Sequence, residues 1–171
     1  MFDLLKKKAK EKEADIDNDL SEHKPAPGTN IYFHPELIDQ LKGDHKELVE
    51  LYMEIKSLFE AESYKTVSEK LGDFRAALQG HLLTENVRLY IYLDHMFQGD
   101  ETNSELIRGF RKDMGDIAKA VMSFLKKYEE IGVNNDLASQ FDEDFATIGK
   151  VLTKRIENEE TVLYPLYSTT H

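Results

Sequence analysis

The chain has 171 residues and a mass of 19.8 kDa, a length that indicates one domain, or one domain with a tail. Its composition of 40% hydrophobic and 32% charged residues, with only 9 glycines and 4 prolines, favours a helical protein over an all-β or low-complexity one. The absence of cysteine excludes disulfides, zinc–thiolate sites, iron–sulfur sites and a thiol nucleophile. The net charge of −11 repels nucleic acid, so we expect no direct nucleic-acid binding and favour a basic protein partner or a metal cation.

The first thirty residues differ in composition from the rest. A lysine-rich run at 6–12 precedes an acidic run at 15–19, and Pro25-Ala26-Pro27-Gly28 breaks any helix. We therefore predict a flexible charged tail over residues 1–30, of which residues 1–12 either stay solvated or form a short amphipathic helix in peripheral contact with a membrane or a partner. No stretch approaches the roughly 18 apolar residues of a membrane span, and the start lacks the order of a secretory signal, so a cytoplasmic location is expected.

Residues 31–171 show apolar residues at steps of three and four, the pattern of helices with one buried face. The first helix is predicted to begin near Pro35, and loops are predicted at 98–103 and 132–136. Four long helices joined by short loops predict an all-α, up-down-up-down four-helix bundle. The apolar positions of the four helices are, in order, Leu37, Leu41, Leu48, Tyr52, Ile55 and Phe59; Val67, Leu71, Phe74, Leu78, Leu89 and Tyr92; Ile107, Phe110, Met114, Ile117, Val121, Phe124 and Tyr128; and Phe141, Phe145, Ile148, Leu152, Val162 and Leu166.

Five polar residues interrupt these stripes at core spacing, toward the middle of their helices. Because an unpartnered buried charge costs several kcal/mol, these residues must meet one another or hold an ion. The spacing alone leaves two interpretations open, a metal site and a hydrogen-bonded polar layer that fixes the helix register. The five residues are His45, His81, Glu85, Arg155 and Glu159.

Three short motifs resemble the hemerythrin-like (HHE cation-binding) domain family. Asp44-His45-Lys46-Glu47-Leu48 is similar to its first-helix motif, and His81-Leu82-Leu83-Thr84-Glu85 is similar to its second-helix His-x-x-x-Glu motif. Glu159-Glu160-Thr161-Val162-Leu163-Tyr164-Pro165 resembles the end of its fourth helix. The resemblance spans about residues 35–168 and implies a hemerythrin-like bundle with metal ligands at His45, His81, Glu85 and Glu159.

Two positions depart from the family pattern. Met114 stands where the resemblance places a third-helix histidine, and Arg155 stands where it places a fourth-helix histidine. The other histidines offer no replacement: His95 lies about 21 Å from His81 along a helix and His34 about 16 Å from His45, at 1.5 Å per residue. A complete di-iron site is therefore not expected, and both bridging carboxylates remain.

Arg155 offers a physical substitute for the missing ion. A guanidinium is always charged and donates five hydrogen bonds, so between Glu85 and Glu159 it would neutralise both carboxylates. We therefore hypothesise a degenerate, metal-free site with no cofactor, and keep a weak or partial non-haem iron site at His45, His81, Glu85 and Glu159 as the alternative.

A second resemblance is to the regulator-of-sigma-D (Rsd/AlgQ) family of anti-sigma proteins, also four-helix bundles. Arg155-Ile156-Glu157-Asn158-Glu159-Glu160 is similar to its Arg-Phe-Glu-x-Glu-Asp stretch, and Leu37-Ile38-Asp39 is similar to part of its first helix. This resemblance implies a basic partner such as a sigma factor, which an acidic bundle would attract.

The sequence thus predicts a non-enzymatic regulatory or protein-interaction module, with direction toward a sigma factor or RNA polymerase as one option. The alternative is a metal-binding sensor or carrier of dioxygen, nitric oxide or iron. Enzymatic activity is not expected, because no nucleophile constellation or phosphate loop is present and Arg155 would keep the carboxylates ionised. Tyr164 and Tyr167, expected at the surface, would serve an interface or pad the end of the bundle.

Overall fold

A computed structural model describes residues 24–170, which form a bundle of four long helical rods with short connections. Two π-helical turns, Glu85–Tyr90 and Glu159–Leu163, make the second and fourth rods continuous, and residues 24–170 contain no strand. The predicted all-α four-helix bundle is confirmed. The α-helices are α1 (Leu37–Glu60), α2 (Tyr64–Thr84), α3 (Ile91–Met96), α4 (Glu101–Tyr128), α5 (Ala138–Asn158) and α6 (Tyr164–Ser168).

The start of the third rod follows local capping chemistry. The α4 helix begins at Glu101 because the Asp100 side chain accepts a hydrogen bond from the backbone N–H of Asn103, a standard N-cap. The loop predicted at 98–103 is therefore shorter than expected. The turn after α4 leads into a 3₁₀ turn, Asn135–Leu137, before α5.

Buried apolar side chains form two clusters, one on each side of a polar layer. The upper core contains four buried tyrosines, whereas the lower core is dominated by leucine and phenylalanine. The upper core consists of Ala26, Leu37, Leu41, Leu89, Tyr90, Tyr92, Leu93, Ile107, Leu163, Tyr164 and Tyr167. The lower core consists of Leu48, Ile55, Val67, Leu71, Phe74, Leu78, Val121, Phe124, Leu125, Tyr128, Ile131, Phe141, Phe145 and Ile148.

The segment before α1 contributes to the upper core. Ala26 is fully buried, and its backbone N–H donates to the carbonyl of Ile31. The boundary predicted at residue 30 stays a prediction, and the membrane or partner contact predicted for residues 1–12 lies outside the described residues. Within residues 24–170, no helix combines the length and hydropathy that crossing a bilayer requires.

Candidate metal centre

The five polar residues singled out in the sequence lie together between the upper and lower cores. Each is at most 5% exposed, and together they form what we call the polar layer. Its members come from α1, α2, α5 and the starts of the two π-helical turns. The polar layer consists of His45, His81, Glu85, Arg155 and Glu159.

Each glutamate of the polar layer is the first residue of a π-helical turn. Glu85 opens the turn Glu85–Tyr90, and Glu159 opens the turn Glu159–Leu163. A π-helical turn inserts one residue into an α-helix and is frequently found at functional sites. The inserted residue rotates the apolar face of the helix that follows it. Each rod can therefore place a carboxylate in the polar layer and still bury the apolar side chains of its last turns in the upper core.

Both histidines direct Nε2 into the layer and Nδ1 toward a carboxylate nearer the solvent. His45 Nδ1 lies 2.8 Å from Glu160 Oε1, and its Nε2 lies 3.0 Å from Glu159 Oε2. His81 Nδ1 lies 3.2 Å from Asp44 Oδ2, and its Nε2 lies 3.5 Å from Glu85 Oε1. Metal-binding histidines commonly have this arrangement, in which a carboxylate on one ring nitrogen fixes the tautomer and orients the other nitrogen.

Tyr164 completes this side of the layer. Its hydroxyl donates to Glu85 Oε1 at 2.8 Å and lies 3.2 Å from His45 Nε2. The second carboxylate oxygen, Glu85 Oε2, is buried and has no hydrogen-bond partner among residues 24–170. A buried carboxylate oxygen without a donor is costly, which makes this atom available to a cation.

Arg155 fills the opposite side of the layer. Its Nε donates to Glu159 Oε1, and its Nη2 donates to the hydroxyl of Tyr90 at 2.7 Å. Its guanidinium carbon lies 4.9 Å from the ring centroid of Phe110, within cation–π range. Met114, at the position where the family pattern has a histidine, is buried and supplies no nitrogen ligand.

The proximity of charges shifts several pKa values. Burial works to lower the pKa of His81, but the neighbouring carboxylates, led by Glu85, outweigh it and raise that pKa. Burial works to raise the pKa of Glu159, but the hydrogen bond from His45 and the charge of Arg155 lower it overall. Burial, with Glu85 and Glu159 adding to it, raises the pKa of Tyr164, so its hydroxyl remains a donor.

Four of the five polar residues form a group of donor atoms suited to a metal ion. One atom each from His45, His81, Glu85 and Glu159 lies within 4.8 Å of every other. Two imidazoles and two carboxylates suit one divalent first-row cation, and the orphaned Glu85 oxygen is consistent with such a ligand. The same residues do not fit two ions, because Arg155 holds Glu159 Oε1 and places a fixed positive charge on that side.

The two other histidines within residues 24–170, His34 and His95, do not join the layer. The backbone N–H of His34 donates to the Tyr167 hydroxyl, and His95 Nδ1 faces Gly28, both away from the polar layer. His23 and His171 lie outside the described residues.

Sequence reasoning missed four contributors to the site. Tyr90 and Tyr164 hydrogen-bond to layer residues, and Asp44 and Glu160 orient the histidines. The expectation that Tyr164 and Tyr167 are exposed is wrong, because the π-helical turn rotates both rings into the upper core. The adjacent apolar residues Leu163 and Tyr164 gave no clear signal, since neighbouring core residues also occur in a regular helix, as Phe124 and Leu125 do in α4.

Comparison with protein-family models matches residues 36–167 to the hemerythrin HHE cation binding domain. Separate comparisons with curated proteins and with solved structures returned no match. The similarity to the regulator-of-sigma-D family stays a sequence-based prediction. The matched range covers the four rods and the complete polar layer, and the chain therefore belongs to the hemerythrin HHE cation-binding domain family.

Proposed function

We propose that the polar layer binds one divalent metal ion through His45, His81, Glu85 and Glu159, and that the protein acts by binding rather than by catalysis. The observation that carries this proposal is the orientation of the two histidines. Both present Nε2 to the layer while Nδ1 faces a carboxylate, as in known metal sites. This is the metal-binding alternative of the sequence analysis, limited to one ion.

Charge balance supports a single ion. The layer contains the carboxylates of Glu85 and Glu159 against the guanidinium of Arg155. These three groups leave a net charge of −1. One divalent cation changes it to +1, which the Asp44 and Glu160 carboxylates on the histidines offset, whereas a second cation would raise it to +3 beside Arg155. The bound ion would supply a positive centre able to accept a small ligand, which is compatible with sensing or carrying dioxygen, nitric oxide or iron.

A binding role is favoured over an enzymatic one by the state of the carboxylates. Arg155 and His45 keep the pKa of Glu159 low, so Glu159 is a poor general acid near neutral pH. The Tyr164 hydroxyl donates a hydrogen bond to Glu85. Because the pKa of Tyr164 is raised, this hydroxyl stays protonated and does not act as a base. Glu159 is therefore poorly suited to donate a proton, and Glu85 Oε2, which has no partner within residues 24–170, is assigned to the metal ion in this proposal.

The experiment is a metal-retention assay on the full-length protein. Protein stripped with a chelator is dialysed anaerobically against Fe²⁺, or separately against Mn²⁺ or Zn²⁺, and the retained metal is measured by mass spectrometry. We expect about one ion per chain for at least one of these metals, and a rise in Tm on loading, because a ligand that binds only the folded state stabilises it.

Matched histidine variants test the assignment of the ligands. His81→Gln should abolish retention, whereas His34→Gln, outside the layer, should retain metal as the wild type does. Retention of two ions per chain would contradict the single-ion proposal. Retention of none, or equal loss in both variants, would contradict metal binding by the polar layer.

A metal-free regulatory module is the second candidate, and internal pairing within the layer favours it. Arg155 is paired with Glu159, and Tyr164 donates to Glu85, so the layer is largely satisfied without an ion. The net charge of −11 suits a basic partner, for which a sigma factor or RNA polymerase remains the prediction. Co-purification of either with the chelator-treated protein would support this candidate, and its absence would argue against it.

A further inference from the structure

A cavity lies directly beside the polar layer, on the side of the lower core. Its volume is about 160 Å³, and α1, α2, α4 and α5 all contribute to its wall. An engineered protein cavity of about 150 Å³ is large enough to bind benzene. The space therefore matches a single six-membered ring rather than a water molecule or a diatomic gas.

The wall of the cavity is apolar except at the end formed by the polar layer. Leu48, Phe74, Leu78 and Leu152 belong to the apolar part, which provides no hydrogen-bond partner for a polar ligand. Such a surface favours a ligand whose body is hydrocarbon, because its transfer from water releases about 25 cal/mol per Å² of buried apolar area.

The cavity opens between α1 and α5. Val49 and Met53 on α1 line it and are 48% and 54% exposed, so they lie at the mouth. Below them Tyr52 crosses to α5, where its hydroxyl donates to the carbonyl of Phe145 at 2.9 Å. Gly149 permits this crossing, since a Cβ there would lie 2.3 Å from the Tyr52 oxygen. The mouth is therefore bounded by Tyr52 on one side and the polar layer on the other.

The polar end of the cavity carries hydrogen-bonding groups with balanced charge. Arg155 and Glu159 both line the cavity, and their opposite charges are already paired with each other. The guanidinium uses Nε and one Nη2 hydrogen in the bonds described for residues 24–170, which leaves further N–H donors of its five. A charged ligand would bury its charge without a free counter-charge, at a large cost, whereas a neutral acceptor would not.

We propose that this cavity binds one compact, uncharged molecule of single-ring size that carries a hydroxyl group, for which phenol is the probe. The ring occupies the apolar part of the cavity, and the hydroxyl reaches the polar end formed by Arg155 and Glu159. His45, His81 and Glu159, three of the proposed metal ligands, also line this polar end, so phenol binding is measured on chelator-treated protein to separate it from metal binding.

The test is a titration of the chelator-treated full-length protein with phenol, followed by NMR of the methionine methyl groups. Met53 and Met114 both line the cavity, so their methyl signals should shift along one saturable curve. Benzoate and benzylamine, which are charged molecules of similar size, should bind at least roughly tenfold more weakly, because each buries an unpaired charge. Non-saturable shifts with phenol, or equal affinity for the charged probes, would overturn the proposal.

Two variants and a control locate the binding. Leu152→Trp fills the cavity and should abolish the phenol-dependent shifts, whereas Val151→Trp, on the exposed face of the same helix, should leave them unchanged. Val49→Trp narrows the mouth from an exposed position that folding does not depend on, and should weaken phenol binding several-fold. Wild-type affinity in both Leu152→Trp and Val49→Trp would place phenol elsewhere and refute the assignment.

Discussion

The two halves of the polar layer, one formed by the histidines and one by Arg155, differ in the cation that each can place beside a buried carboxylate. In the histidine half, the Nε2 atoms of His45 and His81 face carboxylate oxygens, and Glu85 Oε2 has no hydrogen-bond partner within residues 24–170, so donor atoms converge where a cation can bind. In the arginine half, the guanidinium of Arg155 is itself the cation, and it lies between Glu159, Tyr90 and Phe110. Glu159 belongs to both halves, with one oxygen facing each.

The two halves use different means to stabilise a buried carboxylate. Arg155 balances the charge of Glu159 from within the chain, whereas Glu85 receives the hydrogen bond of the Tyr164 hydroxyl and, in our proposal, a metal ion. An arginine also fixes the charge permanently, whereas an ion can be gained and lost. The arginine half is therefore structural, and the proposed regulation or sensing resides in the histidine half.

The largest loss of stability is expected when the arginine is removed. Arg155→Ala leaves Glu159 buried without its cation, and breaking a buried pair from one side costs about 3–5 kcal/mol of unfolding free energy. Urea denaturation in the presence of a chelator should show this loss, while Lys154→Ala on the exposed neighbour should change stability by less than about 0.5 kcal/mol. A loss below about 1 kcal/mol for Arg155→Ala would show that Arg155 is not the structural cation.

Removing one hydroxyl from the histidine half should cost less. Tyr164→Phe removes the hydrogen-bond donor of Glu85 Oε1, while Glu85 Oε2 has no partner within residues 24–170. Leaving this buried carboxylate unsatisfied should lower the free energy of unfolding by about 1–3 kcal/mol. Urea denaturation of metal-free protein measures this change, with Tyr64→Phe as a control for loss of a tyrosine hydroxyl outside the layer. Equal stability of Tyr164→Phe and wild type would mean that water already serves Glu85.

The fold could be predicted from the sequence because each rod has apolar residues at steps of three and four along most of its length. Leu37, Leu41 and Leu48 illustrate a pattern that specifies one buried helix face. The π-helical turns could not be predicted from that pattern, since a uniform 3.6-residue period cannot represent one inserted residue. Leu89 and Tyr90 are both buried inside the first π-helical turn, whereas the uniform period assigns only Leu89 to the core.

The site could be predicted only in part. The spacing of His81 and Glu85 puts both on one face of a helix, so their inward position follows from local geometry alone. The same local spacing pairs Arg155 with Glu159, but the contacts of His45 with Glu159 and of Arg155 with Tyr90 depend on how different rods are aligned along the bundle axis, which no local pattern contains. Tyr90, whose hydroxyl accepts from Arg155, is for this reason absent from the apolar positions that the sequence assigns to the core.

A finer test of the arginine half concerns the aromatic ring beside the guanidinium. Phe110→Leu keeps an apolar side chain but removes the cation–π contact with Arg155, which is worth about 0.5–2 kcal/mol depending on how far the pair is desolvated. A double-mutant cycle with Arg155→Met, followed by urea denaturation, isolates this coupling from the change in packing. A coupling energy near zero would show that Phe110 only fills space.

The smallest effect is expected at an exposed ion pair outside both halves. Asp144 accepts hydrogen bonds from Lys127 at 2.8 Å and from the Tyr128 hydroxyl at 2.5 Å, and these bonds lower its pKa, the lysine first. A carboxylate with a lowered pKa stabilises the fold above the unfolded value of about 3.9 and loses that contribution as the pH falls through its folded value. The Tm difference between wild type and Asp144→Asn should therefore shrink on acidification from pH 7 and be reduced by salt, whereas Glu143→Gln should show neither trend. A Tm difference independent of both pH and salt would show that Asp144 stabilises the fold through its hydrogen bond with Tyr128 alone and that its ion pair with Lys127 contributes nothing.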